Sequence, residues 1–128
     1  MKIKSPLRYP GGKTRAVNKI LPYIPKGVDL CSPFFGGGSI EIAYALANPD
    51  NKVCGYDLFE PIACFWDELI KSPEGLARKV QQIKRDFNKE AFMDFRMELK
   101  EEFIPCRTTA AKVFAINRSS FSGATFSG

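Results

Sequence analysis

A glycine-rich segment, residues 33–39, lies between a predicted strand and a predicted helix. Consecutive glycines at such a junction let a ligand approach the backbone, and the helix N-terminus supplies amides that have no partner inside the helix. Asp57 follows Gly38 by 19 residues, at the end of the next predicted strand, where a carboxylate can accept hydrogen bonds from both hydroxyls of a ribose. The loop and the acid together predict a half-site for an adenosine-containing cofactor.

The sixth position of this loop discriminates between two such cofactors. The dinucleotide-binding fingerprint has Gly or Ala there, beneath a pyrophosphate, whereas counting from Gly36 this chain has Glu41. A carboxylate is unfavourable beside a pyrophosphate but favourable near the positive sulfonium of S-adenosylmethionine, which carries no phosphate. The loop therefore favours S-adenosylmethionine, and a nicotinamide-dependent oxidoreductase stays as the alternative.

The composition excludes several other kinds of site. The 128 residues contain no histidine, which rules out a Ser-His-Asp triad, a His-paired cysteine nucleophile and any His-containing zinc site. The four cysteines include no C-x-x-C pair, so we expect them to be reduced and mostly buried. No stretch approaches the roughly 18 apolar residues of a membrane span, and we expect a cytoplasmic protein.

The net charge of +5 is unevenly distributed. Residues 1–27 carry +7, residues 28–70 carry −6 and residues 71–128 carry +4. Basic segments are the electrostatic signature of nucleic-acid binding, although a charge of this size also occurs in proteins that bind none. The two basic flanks indicate a candidate nucleic-acid surface around an acidic centre.

The first half of the chain alternates predicted strands and helices. A short helix interrupted near Pro22 is predicted within 14–24, followed by a strand at 28–31, a helix at 40–47 and a strand at 52–57. Pro61 opens a further helix. This βαβα order is typical of a parallel sheet, so the fold class is predicted to be α/β.

The second half is predicted to be helical. Apolar residues recur every three or four positions from 76 to 103 until Pro105, which predicts one long amphipathic helix or two consecutive ones. Ser72 is the expected cap of the first helix and Asn88 of the second.

A last helix is predicted to end near Ile116, with Thr108 or Thr109 as its cap. Residues 117–128 are rich in Ser and Gly and are predicted to form a loop.

Four short motifs then become recognisable, in this order: LRYPGGK at 7–13, SPFFGGGS at 32–39, GYD at 55–57 and NRSSFSG at 117–123. They resemble the N-terminal half of the D12-class DNA adenine N6-methyltransferases, the family of the Dam-type enzymes and of several restriction-modification and phage enzymes. The resemblance covers essentially the whole chain. It implies an α/β, Rossmann-like S-adenosylmethionine-dependent methyltransferase fold, present in part, with a helical target-recognition insertion.

The resemblance also implies which residues bind the cofactor. Tyr9 and Lys13 would contact it from the N-terminal motif, with Lys13 paired to the methionine carboxylate and Tyr9 packed beside it. Phe34 and Gly36 would line the pocket, and Asp57 would hold the ribose. No metal ion is implied, because the sulfonium leaving group supplies the driving force.

The same similarity implies that two regions of the chain have different functions. Residues 1–71 would be the N-terminal part of the cofactor-binding domain, and residues 72–128 the start of the target-recognition insertion. Asn117, Arg118 and Ser122 would belong to a DNA-contacting hairpin.

The chain departs from the family pattern at two points. Ser32 stands where many members have an acidic residue, which weakens the expected interaction with the methionine amino group. The catalytic Asp-Pro-Pro-Tyr motif of the family does not occur in the sequence. Because the N6 amino group of adenine is a poor nucleophile that needs hydrogen-bond acceptors, we expect this chain to be a fragment that is inactive alone.

The intact reaction would transfer a methyl group from S-adenosylmethionine to adenine N6 in double-stranded DNA, with the adenine flipped out of the helix. No membrane partner is expected, and a cognate restriction enzyme is a candidate partner. The remaining alternative is a non-catalytic remnant that keeps affinity for DNA or for the cofactor.

Overall fold

A computed structural model describes residues 3–9 and 13–120 of the chain. These residues form two compact units, Met1–Leu58 and Phe59–Gly128. Each unit is described by itself below.

The first unit combines short helices with a small sheet. Its elements are helix α1 (Val17–Ile20), strand β1 (Leu30–Ser32), helix α2 (Ser39–Ala47) and strand β2 (Val53–Gly55). A single 3-10 turn, Leu21–Tyr23, continues α1 and has Pro22 near its start. The predicted interruption near Pro22 is confirmed, because proline lacks the N–H that a continuing α-helix needs.

The two strands are parallel, as the βαβ order predicts. Leu30 pairs with Val53, and Ser32 pairs with Gly55. The pairing extends past the strand ends, since Tyr56 N donates to Ser32 O at 2.8 Å and Phe35 N donates to Tyr56 O at 2.9 Å. Both strands are shorter than predicted, but the extra hydrogen bonds hold the loops that follow them side by side.

Helix α2 is attached to the chain that enters β1 through a buried tyrosine. Tyr44 is 1 % exposed, and its hydroxyl lies within hydrogen-bonding distance of the carbonyl oxygens of Pro25 and Val28. The Asn48 side chain, just after the helix, accepts a hydrogen bond from Gly27 N at 2.9 Å. These contacts fix the crossover helix against the strand that precedes it.

Over residues 59–120, the second unit is a bundle of four helices: α3 (Glu60–Lys71), α4 (Pro73–Arg85), α5 (Lys89–Glu101) and α6 (Arg107–Ser119). Helix α6 packs against the other three. Its residues Ala110, Val113 and Ile116 have no exposed surface, and Phe114 stacks on Phe65 of α3 with ring centroids 5.9 Å apart. The core of this unit therefore surrounds α6.

The helix caps confirm some expectations and correct others. Two consecutive helices form rather than one, and Asn88 caps the second by accepting from Ala91 N at 2.8 Å. Ser72 occupies the cap position of α4, but its side chain makes no capping hydrogen bond.

The expected cap of α6 is wrong, because Cys106 and not Thr108 or Thr109 occupies that position. Thr109 lies at the third helical position, and its hydroxyl accepts a hydrogen bond from Cys106 N at 2.9 Å. A threonine hydroxyl can thus stabilise the start of a helix from the third helical position as well as from the cap position, and the prediction considered only the cap position.

The predicted loop from residue 117 is also wrong at its beginning, since α6 continues through Ser119. Asn117 has no exposed surface and lies on the same helix face as the buried Val113, four residues earlier. Residues 121–128, which include Ser122, lie outside the described part of the chain.

All four cysteines are free, in agreement with the expectation that they are reduced. The expectation that they are mostly buried is wrong, because Cys31 and Cys106 are exposed, Cys54 is half-buried and Cys64 is buried. Within residues 3–9 and 13–120, no helix is both long and apolar enough to span a membrane.

The close packing of Phe35 on Gly55 in the first unit can be tested by mutation. A Cβ atom at Gly55 would lie 1.9 Å from Phe35 Cδ2, so Gly55→Ala is expected to destabilise the unit by about 1–3 kcal/mol through overpacking. Denaturant unfolding of Gly55→Ala, Phe35→Ala and the double variant measures this. Because Phe35→Ala removes the clash, the penalty of Gly55→Ala should nearly vanish in that background, and additive effects would contradict the packing.

Candidate functional site

A cleft of about 230 Å³ in the first unit contains most of the predicted cofactor residues. The glycine loop after β1 and the start of α2 form one wall, and residues of the N-terminal motif form the other. The lining residues are Tyr9, Lys13, Phe34, Phe35, Gly36, Gly37, Gly38, Ser39, Ile40 and Glu41. Tyr9, Lys13, Phe34 and Gly36, which lie far apart in sequence, thus surround one cavity.

Asp57 does not line this cleft but is bonded directly to its glycine loop. Gly36 N donates a hydrogen bond to Asp57 Oδ2 at 2.8 Å, beyond the paired ends of β1 and β2. Gly36 has a φ of +51°, in the left-handed region that side chains disfavour. The left-handed turn and the carboxylate therefore position each other at the carboxyl ends of the strands.

Tyr9 packs directly on the glycine loop. A Cβ atom would lie 3.0 Å from Tyr9 Cε1 if placed at Gly36, and 3.1 Å from Tyr9 Cβ if placed at Gly37. Larger residues would thus displace the ring. Partial burial and, to a lesser extent, the negative charge of Asp57 raise the pKa of Tyr9 above its ordinary value of 10.0, so the phenol stays protonated at neutral pH.

Two other predicted residues lie at the rim of the cleft. The Phe34 ring is 89 % exposed, and Lys13 is also exposed. An aromatic ring and a cationic side chain thus line the cleft together with the glycine loop.

The lining of the cleft includes a buried acid that was not among the predicted cofactor contacts. Glu41, in the first turn of α2, is 7 % exposed, and its Oε1 accepts a hydrogen bond from Ser32 Oγ at 2.5 Å. Its position within the apolar run 40–46 was a signal of burial, because a charge on the inner face of a helix is rare unless it has a partner. From the sequence alone, Glu41 indicated only that the loop favours S-adenosylmethionine over a dinucleotide.

The predicted DNA-contacting residues differ in accessibility. Arg118 is exposed near the end of α6, whereas Asn117 is fully buried. A side chain with no exposed surface cannot contact DNA without leaving the core, so Asn117 is corrected to a core residue. Ser122 lies outside the described residues.

The closeness of Tyr9 and Asp57 can be tested by titration. Asp57→Asn removes a negative charge, so the pKa of Tyr9 is expected to fall but to stay above 10.0, because burial is the larger cause of the shift. Phenolate absorbance against pH, with Tyr9→Phe to identify the signal, measures this. Asp50→Asn, at an exposed position of the same unit, is the matched control and should leave the curve unchanged.

The raised pKa also sets the direction of the stability change at high pH. Above pH 10.0 the unfolded tyrosine loses its proton before the folded one, so the folded unit should lose stability as pH rises further. Tyr9→Phe should show a weaker loss over this range. An identical loss in the wild type and in Tyr9→Phe would contradict the raised pKa.

Comparison with known proteins agrees with the resemblance seen in the sequence. Residues 9–127 match the family described as D12 class N6 adenine-specific DNA methyltransferase. The chain is also 24 % identical over 123 residues to the DNA N-6-adenine-methyltransferase of Escherichia phage P1. That alignment covers 95 % of this chain but 16 % of the phage protein. The match over most of its length shows that this chain belongs to the D12 class N6 adenine-specific DNA methyltransferase family.

Proposed function

We propose that this chain supplies the cofactor-binding part of an enzyme that methylates adenine N6 in DNA, with S-adenosylmethionine as the methyl donor. Family membership implies a methyl donor and a DNA substrate. The observation that carries the proposal is the cleft in which Tyr9, Lys13 and the glycine loop meet, with the loop bonded to Asp57. The chain spans 16 % of the length of the phage relative. The methylation activity is therefore proposed for a complete enzyme that contains this chain.

The residues of the cleft fit this cofactor chemically. The glycines leave room at Gly36 and Gly37 that a Cβ atom would take from Tyr9. The cavity of about 230 Å³ is smaller than the roughly 300–1,000 Å³ of complete small-molecule pockets, so it accommodates part of such a ligand. Asp57 would accept hydrogen bonds from the ribose hydroxyls, since a carboxylate has two acceptor oxygens and this one is held next to the glycine loop by Gly36 N.

Three of the lining residues then have proposed roles in binding. Lys13 would pair with the carboxylate of the methionine part, and the neutral ring of Tyr9 would pack beside it. Phe34 would cover the open side with its exposed ring. When bound, the cofactor supplies an electrophilic methyl group on a sulfonium, and these residues orient it.

The buried Glu41 supports S-adenosylmethionine over a dinucleotide. Glu41 lines the cleft that a pyrophosphate would have to share, and two anions close together in a partly buried site repel each other. The nicotinamide-dependent alternative is thus disfavoured by a specific residue of the site.

We also propose that the cofactor-binding domain has a Rossmann-like fold. The parallel pair β1 and β2 with α2 as its crossover is one βαβ unit, which is the repeating element of a Rossmann-like sheet. We assign residues 1–71 to the cofactor-binding domain and 72–128 to the target-recognition insertion. The compact units divide after Leu58, which places α3 with the helical bundle.

The chemical step at adenine is assigned to no residue of this chain, because no Asp-Pro-Pro sequence is present to accept the amino hydrogens. We propose that the adenine is flipped out of duplex DNA, as chemistry on a stacked base requires. Arg118 is the proposed DNA contact of the second unit, since its guanidinium is exposed and can bridge phosphates. A cytoplasmic location and a cognate restriction enzyme stay predictions.

Calorimetric titration with S-adenosylmethionine tests the proposed cofactor. The wild-type chain is expected to bind it, and Asp57→Ala should weaken binding by about 1–3 kcal/mol, the scale of a hydrogen bond to a charged acceptor. Asp50→Ala is the matched control. Unchanged binding by Asp57→Ala would remove Asp57 from the site, and binding of NAD without binding of S-adenosylmethionine would favour an oxidoreductase.

DNA binding is tested by the salt dependence of affinity for duplex DNA. Arg118→Ala is expected to weaken binding and to lower the magnitude of the salt slope by about one, because one phosphate contact is lost. Arg78→Ala, at an exposed position of α4, serves as the control. Equal effects of the two variants would show that Arg118 contributes only to net charge.

A further inference from the structure

The carboxylate of Glu41 is an unusual feature of the cleft. It is more than nine-tenths buried, and within residues 3–9 and 13–120 Ser32 Oγ is its one hydrogen-bond donor. A single neutral donor offsets the burial of a carboxylate charge only in part, so a cation or a further donor at this position would be favourable. Its placement in the cleft wall means that a ligand could provide that cation.

A second charge borders the same cleft. Lys13 is exposed and lines the cavity together with Glu41, so the walls present both a cation and an anion. Such a pair complements a zwitterion, with an ammonium at the acid and a carboxylate at the base. A phosphate or a pyrophosphate would satisfy Lys13 but would be repelled by Glu41.

We propose that Glu41, held by Ser32, binds the α-ammonium group of an amino-acid moiety and so makes the cleft selective for ligands that carry one. The inference rests on the proposed function, because S-adenosylmethionine is the adenosine cofactor that ends in a free amino acid. The Ser32 hydrogen bond holds Oε1 of the carboxylate, and Oε2 is the proposed acceptor for the ammonium group. Glu41 is then a specificity-determining residue supplied by helix α2.

A structural role for Glu41 would give a different result in binding experiments. An acid in the first turn of α2 also interacts favourably with the helix dipole, which would need no ligand. Glu41→Gln keeps the shape and can still accept from Ser32, while it removes the charge. Thermal unfolding of the variant shows directly whether the unit still folds.

The experiment compares three ligands by calorimetry in the wild type and in Glu41→Gln. S-adenosylmethionine has both the ammonium and the sulfonium, S-adenosylhomocysteine has the ammonium alone, and 5′-methylthioadenosine has neither. Glu41→Gln is expected to lower the affinity for the first two by about tenfold or more, the scale of a charge-assisted hydrogen bond, and to leave the third within about twofold. Glu74→Gln, at an exposed position of α4, is the matched control.

A rescue variant tests the geometry. Because Ser32 Oγ lies 2.5 Å from the Glu41 carboxylate, a carboxylate introduced at position 32 reaches the same place. Ser32→Glu combined with Glu41→Gln should therefore recover most of the lost affinity for S-adenosylhomocysteine. Ser32→Glu alone should not increase it, since two acids would then repel each other.

Four outcomes would overturn the proposal in distinguishable ways. Equal weakening of all three ligands would show that Glu41 supports the fold, and weakening of S-adenosylmethionine alone would assign it to the sulfonium. Wild-type chain that binds none of the ligands would contradict the proposed function itself. Wild-type chain that binds them all, with no change in Glu41→Gln, would contradict this inference alone.

Discussion

The hydrogen bond from the Gly36 amide to the Asp57 carboxylate joins the two loops on which the candidate site depends. It continues the parallel pairing of β1 and β2 by one more link, after Tyr56 has bonded to Ser32 and Phe35 has bonded to Tyr56. This link needs a left-handed residue at position 36, and glycine supplies that conformation without steric strain. It also needs room for Tyr9 on the loop, which the missing Cβ atoms provide.

The electrostatics of the cleft follow from that geometry. Partial burial and, to a lesser extent, Asp57 raise the pKa of Tyr9 and so keep the phenol neutral. Glu41 contributes a buried carboxylate to the lining of the cleft, and the ring of Phe34 is exposed. Lys13 adds a positive charge at the rim. A cleft with both signs of charge and an exposed aromatic ring suits a ligand that combines a base, a ribose and a zwitterion.

The sequence predicted the βαβ order of the first unit, because strand, glycine loop and helix each have a strong local signal, and four of the predicted cofactor residues line one cleft. Asp57 was found from its spacing, although its bond to Gly36 depends on strand register that spacing alone does not contain. Asn117 was misassigned because polar residues near Ser and Gly resemble a loop, and burial by the bundle overrides that local preference. The partnership of Ser32 with Glu41 required the tertiary structure, since nine residues and a turn separate them.

The most direct test of the central claim is an amide NMR titration of the chain with S-adenosylmethionine. If the Gly36 to Asp57 link builds the cofactor site, the largest shifts should fall on the amides of the glycine loop, Tyr9, Lys13 and Asp57, and NAD should produce none of comparable size. Shifts confined to the helical bundle, or equal shifts with NAD, would contradict the account.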